Sequence, residues 1–269
     1  DLVKQIFGVP DTLLSGTKSY VKCTAKTDAP TATPNACSGI DSGDASVFLM
    51  NSDPPDQVLY FTLADIPASV DKLYMTDQAW SGSAFVGDES VLEFTIPENG
   101  LGAGTSFGYG GNAPLADNWE QIGTQPFDLG TGGDQIFLFC INADGKPHFI
   151  NGFNYNGAWA TRNLPPANYG KNSSALPESL EFKGSVAIPH HDNCVYTGPQ
   201  EGFKATLNKE FKNPDNYMCA DDQRYEIKGL TETVSGATLA TTVFGYGSVV
   251  VTAVVTTTTL LLLSALSSS

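Results

Sequence analysis

Reactive side chains at usable spacing are scarce in this chain. It has three histidines, His148, His190 and His191, which limits imidazole acid/base chemistry and histidine-built metal centres alike. His190-His191-Asp192 sets imidazole beside carboxylate. Neighbouring side chains on a strand point to opposite faces, so the usable metal pair is His190 with Asp192, against a simple hydrogen-bonded turn. Asp41, Asp44, Asp53 and Asp56 gather near turns. Calcium favours hard oxygen ligands of this kind, so calcium is the one cofactor to weigh, although the spacing matches no dedicated calcium loop and solvated loop tips are the plainer reading. Asp44 and Asp134 each follow a glycine, a placement that suits a carboxylate capping turn N–H groups.

Aromatic side chains offer a second kind of site. Trp80, Trp119 and Trp159, with Tyr109, Tyr155 and Tyr169, lie among Gly, Ser and Asn. On exposed loops such rings stack on sugars and make a carbohydrate-binding surface; in the interior they are core. Asn172-Ser173-Ser174 is an acceptor for N-glycosylation in a eukaryotic secretory route. There is no His-Glu-x-x-His, no Walker loop and no Cys-x-x-Cys, so a non-enzymatic protein is expected and a hydrolase with a dispersed site is the weakest alternative.

The elements that must position these groups read as β-structure. With 27 Gly, 16 Pro and 41% hydrophobic residues, the chain is ordered and rich in turns. Short apolar runs such as Val47-Phe48-Leu49-Met50, Val58-Leu59-Tyr60-Phe61, Leu73-Tyr74-Met75 and Ile136-Phe137-Leu138-Phe139 are bounded by Gly, Asn, Asp and Pro, as strands joined by tight turns are. Phe203, Leu207 and Phe211 recur four apart and predict one helix over 200–211. Two stretches echo one another, Gly43-Asp44 to Trp80 and Gly133-Asp134 to Trp159, and each is followed by a Glu-Ser-containing strand ending at proline, over Glu89 to Pro97 and over Glu178 to Phe182 with Val186 to Pro189. The expectation is all-β: a β-sandwich-like domain of two pseudo-symmetric halves, about 43–125 and 126–225, within a unit over 41–230. Residues 1–40 read as a leader segment, and 231–269 as an apolar tail.

No residue from Thr233 onward is charged, and as a helix 243–266 would reach ~36 Å, enough to cross a bilayer core. Ser235-Gly236-Ala237, a polar spacer and an apolar end follow the order of a glycosylphosphatidylinositol signal, with Ser235 the attachment site. A spanning helix and a packed or assembly segment are the alternatives. The five cysteines favour an oxidising compartment. Cys23 with Cys37 and Cys194 with Cys219 could each close a local loop, leaving Cys140 as a buried free thiol in its apolar run. The net charge of −15 argues against nucleic acid.

The motifs Asp65-Ile66-Pro67, Thr76-Asp77-Gln78-Ala79-Trp80, Gly133-Asp134-Gln135-Ile136-Phe137, Gly152-Phe153-Asn154, Ala175-Leu176-Pro177 and His191-Asp192-Asn193-Cys194-Val195-Tyr196 occur in that order. Over about 43–217 the chain resembles a duplicated β-rich domain of secreted bacterial and cyanobacterial multidomain proteins. That resemblance implies an extracellular or surface-attachment setting and carries no catalytic residues. A less specific similarity is to the shell proteins that coat the pyrenoid of diatoms, which would imply a plastid location and self-assembly. The expected function is thus structural or adhesive at the outer face of the plasma membrane. The expected partners are the membrane through the tail, other copies of the chain and glycans; a carbohydrate- or calcium-binding module is the alternative.

Overall fold

The computed structural model describes residues 37–226 except 124, 163–168 and 171. In chain order the strands are β1 (Ala45–Asn51), β2 (Gln57–Thr62), β3 (Lys72–Thr76), β4 (Ala79–Trp80), β5 (Phe85–Val86), β6 (Val91–Thr95) and β7 (Ser106–Tyr109). They continue with β8 (Trp119–Ile122), β9 (Gln135–Ile141), β10 (Pro147–Asn154), β11 (Ser185–Ala187), β12 (Asn193–Tyr196) and β13 (Tyr217–Ala220). One α-helix, α1 (Lys204–Phe211), is present among the described residues. The fold is all-β and sandwich-like.

Five strands form one sheet in the order β13-β12-β1-β2-β7, and six form another in the order β11-β10-β9-β3-β6-β8; β4 and β5 make a separate small hairpin. Each large sheet is centred on a hairpin, β1–β2 in one and β9–β10 in the other. Each hairpin is flanked by a strand from the other part of the chain: β12 pairs with β1, and β3 pairs with β9. Exchanging β1, β2, β7, β12 and β13 for β9, β10, β11, β3 and β6 converts the five-stranded order into the six-stranded one without β8. The exchange is imperfect at both edges: β8 has no counterpart, and β7 pairs antiparallel with β2 but β11 pairs parallel with β10. Trp80 follows β3 whereas Trp159 follows β10, so the two tryptophans occupy non-equivalent places in this scheme.

Side chains alternate across each strand, and here both faces are apolar. Val47, Val58, Tyr60, Leu73, Met75, Phe94, Ile136, Leu138 and Phe107 fill the space between the sheets. On the outer face of the first sheet, Leu49, Leu59 and Phe61 pack under Leu207 and Phe211 of α1. On the outer face of the second, Tyr74, Phe137 and Phe139 pack under Trp80 of the small hairpin and under Tyr169 and Leu180. Burial on both faces explains why these strands read as continuous apolar runs, a pattern more usual in parallel sheets. β1 and β10 each carry a register shift against their hairpin partners, which re-aims the chain across the sandwich.

Several local expectations are corrected. The helix starts at Lys204, and Phe203 is its N-cap, 87% exposed, because Pro199 and Gly202 precede it. Of the strand predicted after Pro177, the first part is a 3-10 turn, Glu178–Leu180, and only the second forms, as β11. Cys140 is not a free thiol but is bonded to Cys37, whereas Cys194 is bonded to Cys219 as expected. Cys140 alternates with Ile136 and Leu138 and so faces the space between the sheets, where Cys37 and Ile40 are also buried. The core therefore recruits residues assigned by sequence to the leader. Cys23, the expected partner of Cys37, lies outside the described residues, as do Ser235 and the whole apolar tail. Among the described residues no helix is long and apolar enough to cross a membrane.

Candidate functional site

The unusual chemistry lies at the end of the sandwich where β3 finishes and β9 begins. Both places carry an Asp-Gln pair, Asp77-Gln78 and Asp134-Gln135. Gly133, at φ +90°, turns the chain into β9, and an added Cβ there would meet the Asn156 side chain. The turn delivers Asp134 to the interior, where one carboxylate oxygen accepts from the Gly130 N–H at 3.1 Å. Its other oxygen accepts from the Gln135 N–H at 2.9 Å and from Gln135 Nε2 at 2.8 Å. Gln135 Nε2 also donates to the backbone carbonyl of Asp77, tying β9 to the end of β3. Thr76 Oγ1 donates to the Ser90 carbonyl at 2.8 Å and holds the approach to β6.

Asp77 is 1% exposed and Asp134 is 2% exposed. Neither carboxylate oxygen of Asp77 completes a hydrogen bond. Burial, then the charge of Glu89, pushes Asp77 up to about 8, with the N–H groups of Asp77 itself and Asp128 offsetting part of the rise and Asp56 adding to it. Burial raises Asp134 to about 8 against its hydrogen bonds from Gln135 and Gly130, with Asp77 adding repulsion. Asp56, in the turn before β2, accepts from the Leu129 N–H at 2.7 Å and is raised by burial to about 6. Tyr155 is buried with its hydroxyl donating to the Gly130 carbonyl at 3.2 Å, and burial raises its phenol well above the usual range. At neutral pH this end holds two neutral carboxylic acids sealed from solvent. Such acids can donate hydrogen bonds to buried acceptors.

The sequence-selected residues fall in several places. Asp41 and Asp44 stand before β1: Asp44 accepts from the Asp41 N–H at 2.7 Å and pairs with Lys204. Asp53 and Asp56 stand beyond the other end of β1, Asp53 accepting from Asn193 Nδ2 at 2.7 Å. These four carboxylates do not converge, because the seven residues of β1 separate them. His190 Nε2 lies 3.5 Å from Asp192 and 2.9 Å from the Thr131 carbonyl. Burial followed by Asp53 raises Asp192 above the ordinary carboxylate range. Among the described residues no group of three or more His, Cys, Asp or Glu is placed to hold a metal ion. Calcium thus finds no ligand set in the residues chosen for it.

The aromatic residues are structural. Trp80 packs edge-on to Phe85 and Phe149, Trp159 lies against Phe137, and Trp119 packs on Phe94 and Phe107. Tyr109 meets Phe127 edge-on. Tyr155 and Tyr169 are buried. No stacking platform is assembled from them, because each completes an apolar layer that a sandwich covered on both faces demands. Asn172 is partly exposed in the loop after 171, while Ser174 is buried and its hydroxyl accepts from the Trp80 N–H at 2.8 Å.

Two features escaped the sequence reading. The shared Asp-Gln pairs were visible within the quoted motifs, but that they meet depends on β3 pairing with β9. Gly104-Thr105-Ser106-Phe107-Gly108 matches the Gly-x-Ser-x-Gly pattern. Its serine opens β7, which pairs antiparallel with β2 and leads into no helix. The strand–turn–helix setting that makes this pattern a nucleophile elbow is missing. Comparison with known family models, curated proteins and solved structures finds no match for the chain.

Proposed function

We propose that the chain is a non-enzymatic structural or adhesion module of the cell surface, held at the membrane through its C-terminal tail. The pair of disulfides supports this reading most directly. Cys37–Cys140 spans 103 residues and Cys194–Cys219 spans 25, and bonds of this kind persist in oxidising, extracellular settings. On loop-closure entropy alone they constrain the unfolded chain by about 4.7 and about 3.5 kcal/mol. A sandwich cross-linked in this way, with apolar cover on both outer faces, suits a module that must resist unfolding outside the cell. Lateral assembly is a natural extension, since β13 lies at a sheet edge and exposes Met218.

Surface labelling of intact cells with a membrane-impermeant reagent, followed by mass spectrometry of the mature C-terminus, tests the proposal. A labelled chain ending near Ser235 with a glycolipid attached is the expected result. A reduced chain recovered from inside the cell or from a plastid sinks it. Sedimentation at high concentration tests assembly separately, and a strict monomer removes that extension.

A further inference from the structure

The start of α1 and the loop after the turn at Glu178–Leu180 enclose an open trough of about 420 Å³. Phe182, Lys183, Lys204, Asn208, Lys209 and Lys212 line it. Four of the chain's 14 basic side chains thus meet in one place on a molecule carrying 29 acidic ones, so the trough is a local reversal of the overall charge. Their commitments differ. Lys204 pairs with Asp44, and Lys212 donates to the Glu181 carbonyl at 3.1 Å. Lys183 and Lys209 are exposed and have no partner among the described residues.

A further observation points to a ligand: Phe182, which lines the trough, is 85% exposed, and Phe203, the chain neighbour of Lys204, is 87% exposed. Apart from these two phenylalanines, Met218 is the only other large hydrophobic side chain so exposed among the described residues. Phe203 is also the N-cap of α1 and offers no side-chain acceptor to the helix N-terminus.

We propose that this trough binds a carboxylated saccharide segment of an extracellular polysaccharide. Lys183 and Lys209 take the carboxylates, and the exposed ring of Phe182 takes the apolar face of a sugar ring. A bare inorganic oxyanion supplies the charge but not the apolar ring face. The concave shape and volume suit an inserted sugar better than a flat protein surface. The source of the polysaccharide rests on the surface reading above, whereas binding itself does not.

The test is calorimetric titration of the purified full chain with oligogalacturonate and with its neutral methyl ester. The acid is expected to bind roughly tenfold or more tightly than the ester, with affinity falling as salt rises. Lys183→Glu with Lys209→Glu is expected to weaken binding at least tenfold, and Phe182→Ala several-fold, without lowering the thermal midpoint, since all three side chains are exposed. No binding, equal binding of acid and ester, or binding indifferent to the lysine reversals overturns the proposal. So does a result in which the reversals change only sedimentation, because the trough would then seat a second copy of the chain. Failure of cell-surface labelling with binding intact would instead retire the surface reading and leave the site standing.

Discussion

Replacing Asp77 by Asn isolates the energetic consequence of the sealed acid pair. In the folded protein Asp77 and Asp134 hold their protons up to about 8, while in the unfolded chain each loses its proton near the ordinary value of 3.8. The folded state therefore binds more protons between these limits, and stability must fall as pH rises through the interval. The slope is about 1.4 kcal/mol per pH unit for each carboxyl, or roughly 2.7 for the two. From pH 5 to pH 7 that is roughly 5 kcal/mol, a large part of a domain stability of about 5–15 kcal/mol. Above about 8 the folded carboxyls ionise as well and the slope flattens. Asparagine copies the neutral acid in shape, and neither oxygen of Asp77 accepts a hydrogen bond that the substitution would break. Asp77→Asn should therefore exceed the wild type by only about 1–2 kcal/mol near pH 5 and by several kcal/mol near pH 8, and should halve the slope between. Urea unfolding at fixed temperature from pH 5 to pH 9 measures all three. A wild-type stability that is flat or rising with pH, or a variant with an unchanged slope, refutes the account.

Other consequences follow from single groups. The Tyr60 hydroxyl is fully buried between the sheets with no hydrogen-bond partner, so Tyr60→Phe should raise stability by about 1–2 kcal/mol; a lowered urea midpoint would count against it. Replacing Cys37 and Cys140 together by Ser frees a loop of 103 residues and leaves two hydroxyls in an apolar layer. A loss of about 5 kcal/mol or more is expected from calorimetry under oxidising conditions, and a loss near 1 would show that the bond adds little. Gly184 sits at φ +78°, where a Cβ would lie 2.6 Å from the Ile150 carbonyl oxygen and 2.7 Å from the Gly43 nitrogen. Gly184→Ala should destabilise by at least about 2 kcal/mol, read as a thermal shift, because rigid backbone on two sides cannot yield.

The fold class was legible because strand-length apolar runs punctuated by Gly, Asn, Asp and Pro leave few alternatives to a β-rich domain. Which face each residue takes was not legible. Leu138 and Phe139 are equally apolar, yet one faces the other sheet and its neighbour faces an outer cover, and a continuous run carries no period to separate them. The Cys37–Cys140 bond was hidden for the same reason, since an inward direction for Cys140 follows only once Ile136 and Leu138 are known to face inward. Cys194–Cys219 was readable because a short loop brings directly opposed strand residues together. The helix was found and its start was misplaced: Phe203 fits the four-residue period, and only the extended backbone that follows Gly202 puts it outside. Among the site residues, the His190–Asp192 pair is local and was visible, whereas Asp77 meets Asp134 only through sheet pairing across 57 positions.

Covering both outer faces has a consequence for function. A sandwich usually leaves a sheet face free to present side chains, but here α1 closes one and the small hairpin with its neighbouring loops closes the other. Trp80, Trp159 and Tyr169 are consumed in that cover, which is why residues that look like a sugar platform in sequence are not one. Contact with other molecules is left to the sheet edges and to the loops around the sandwich, where two charge-bearing features behave oppositely. The acids at the start of β9 are buried and neutral at pH 7, so they set the pH range of stability and offer no charge to a partner. The lysines beside α1 are exposed, partly uncommitted and flanked by uncovered phenylalanines, so they carry the recognition. A chain of net charge −15 that gathers four lysines against its own prevailing sign gains nothing in solubility from doing so. The concentration of opposite charge is accounted for by an anionic ligand, and the titration with the acid and its ester asks that question of the two uncommitted lysines, Lys183 and Lys209.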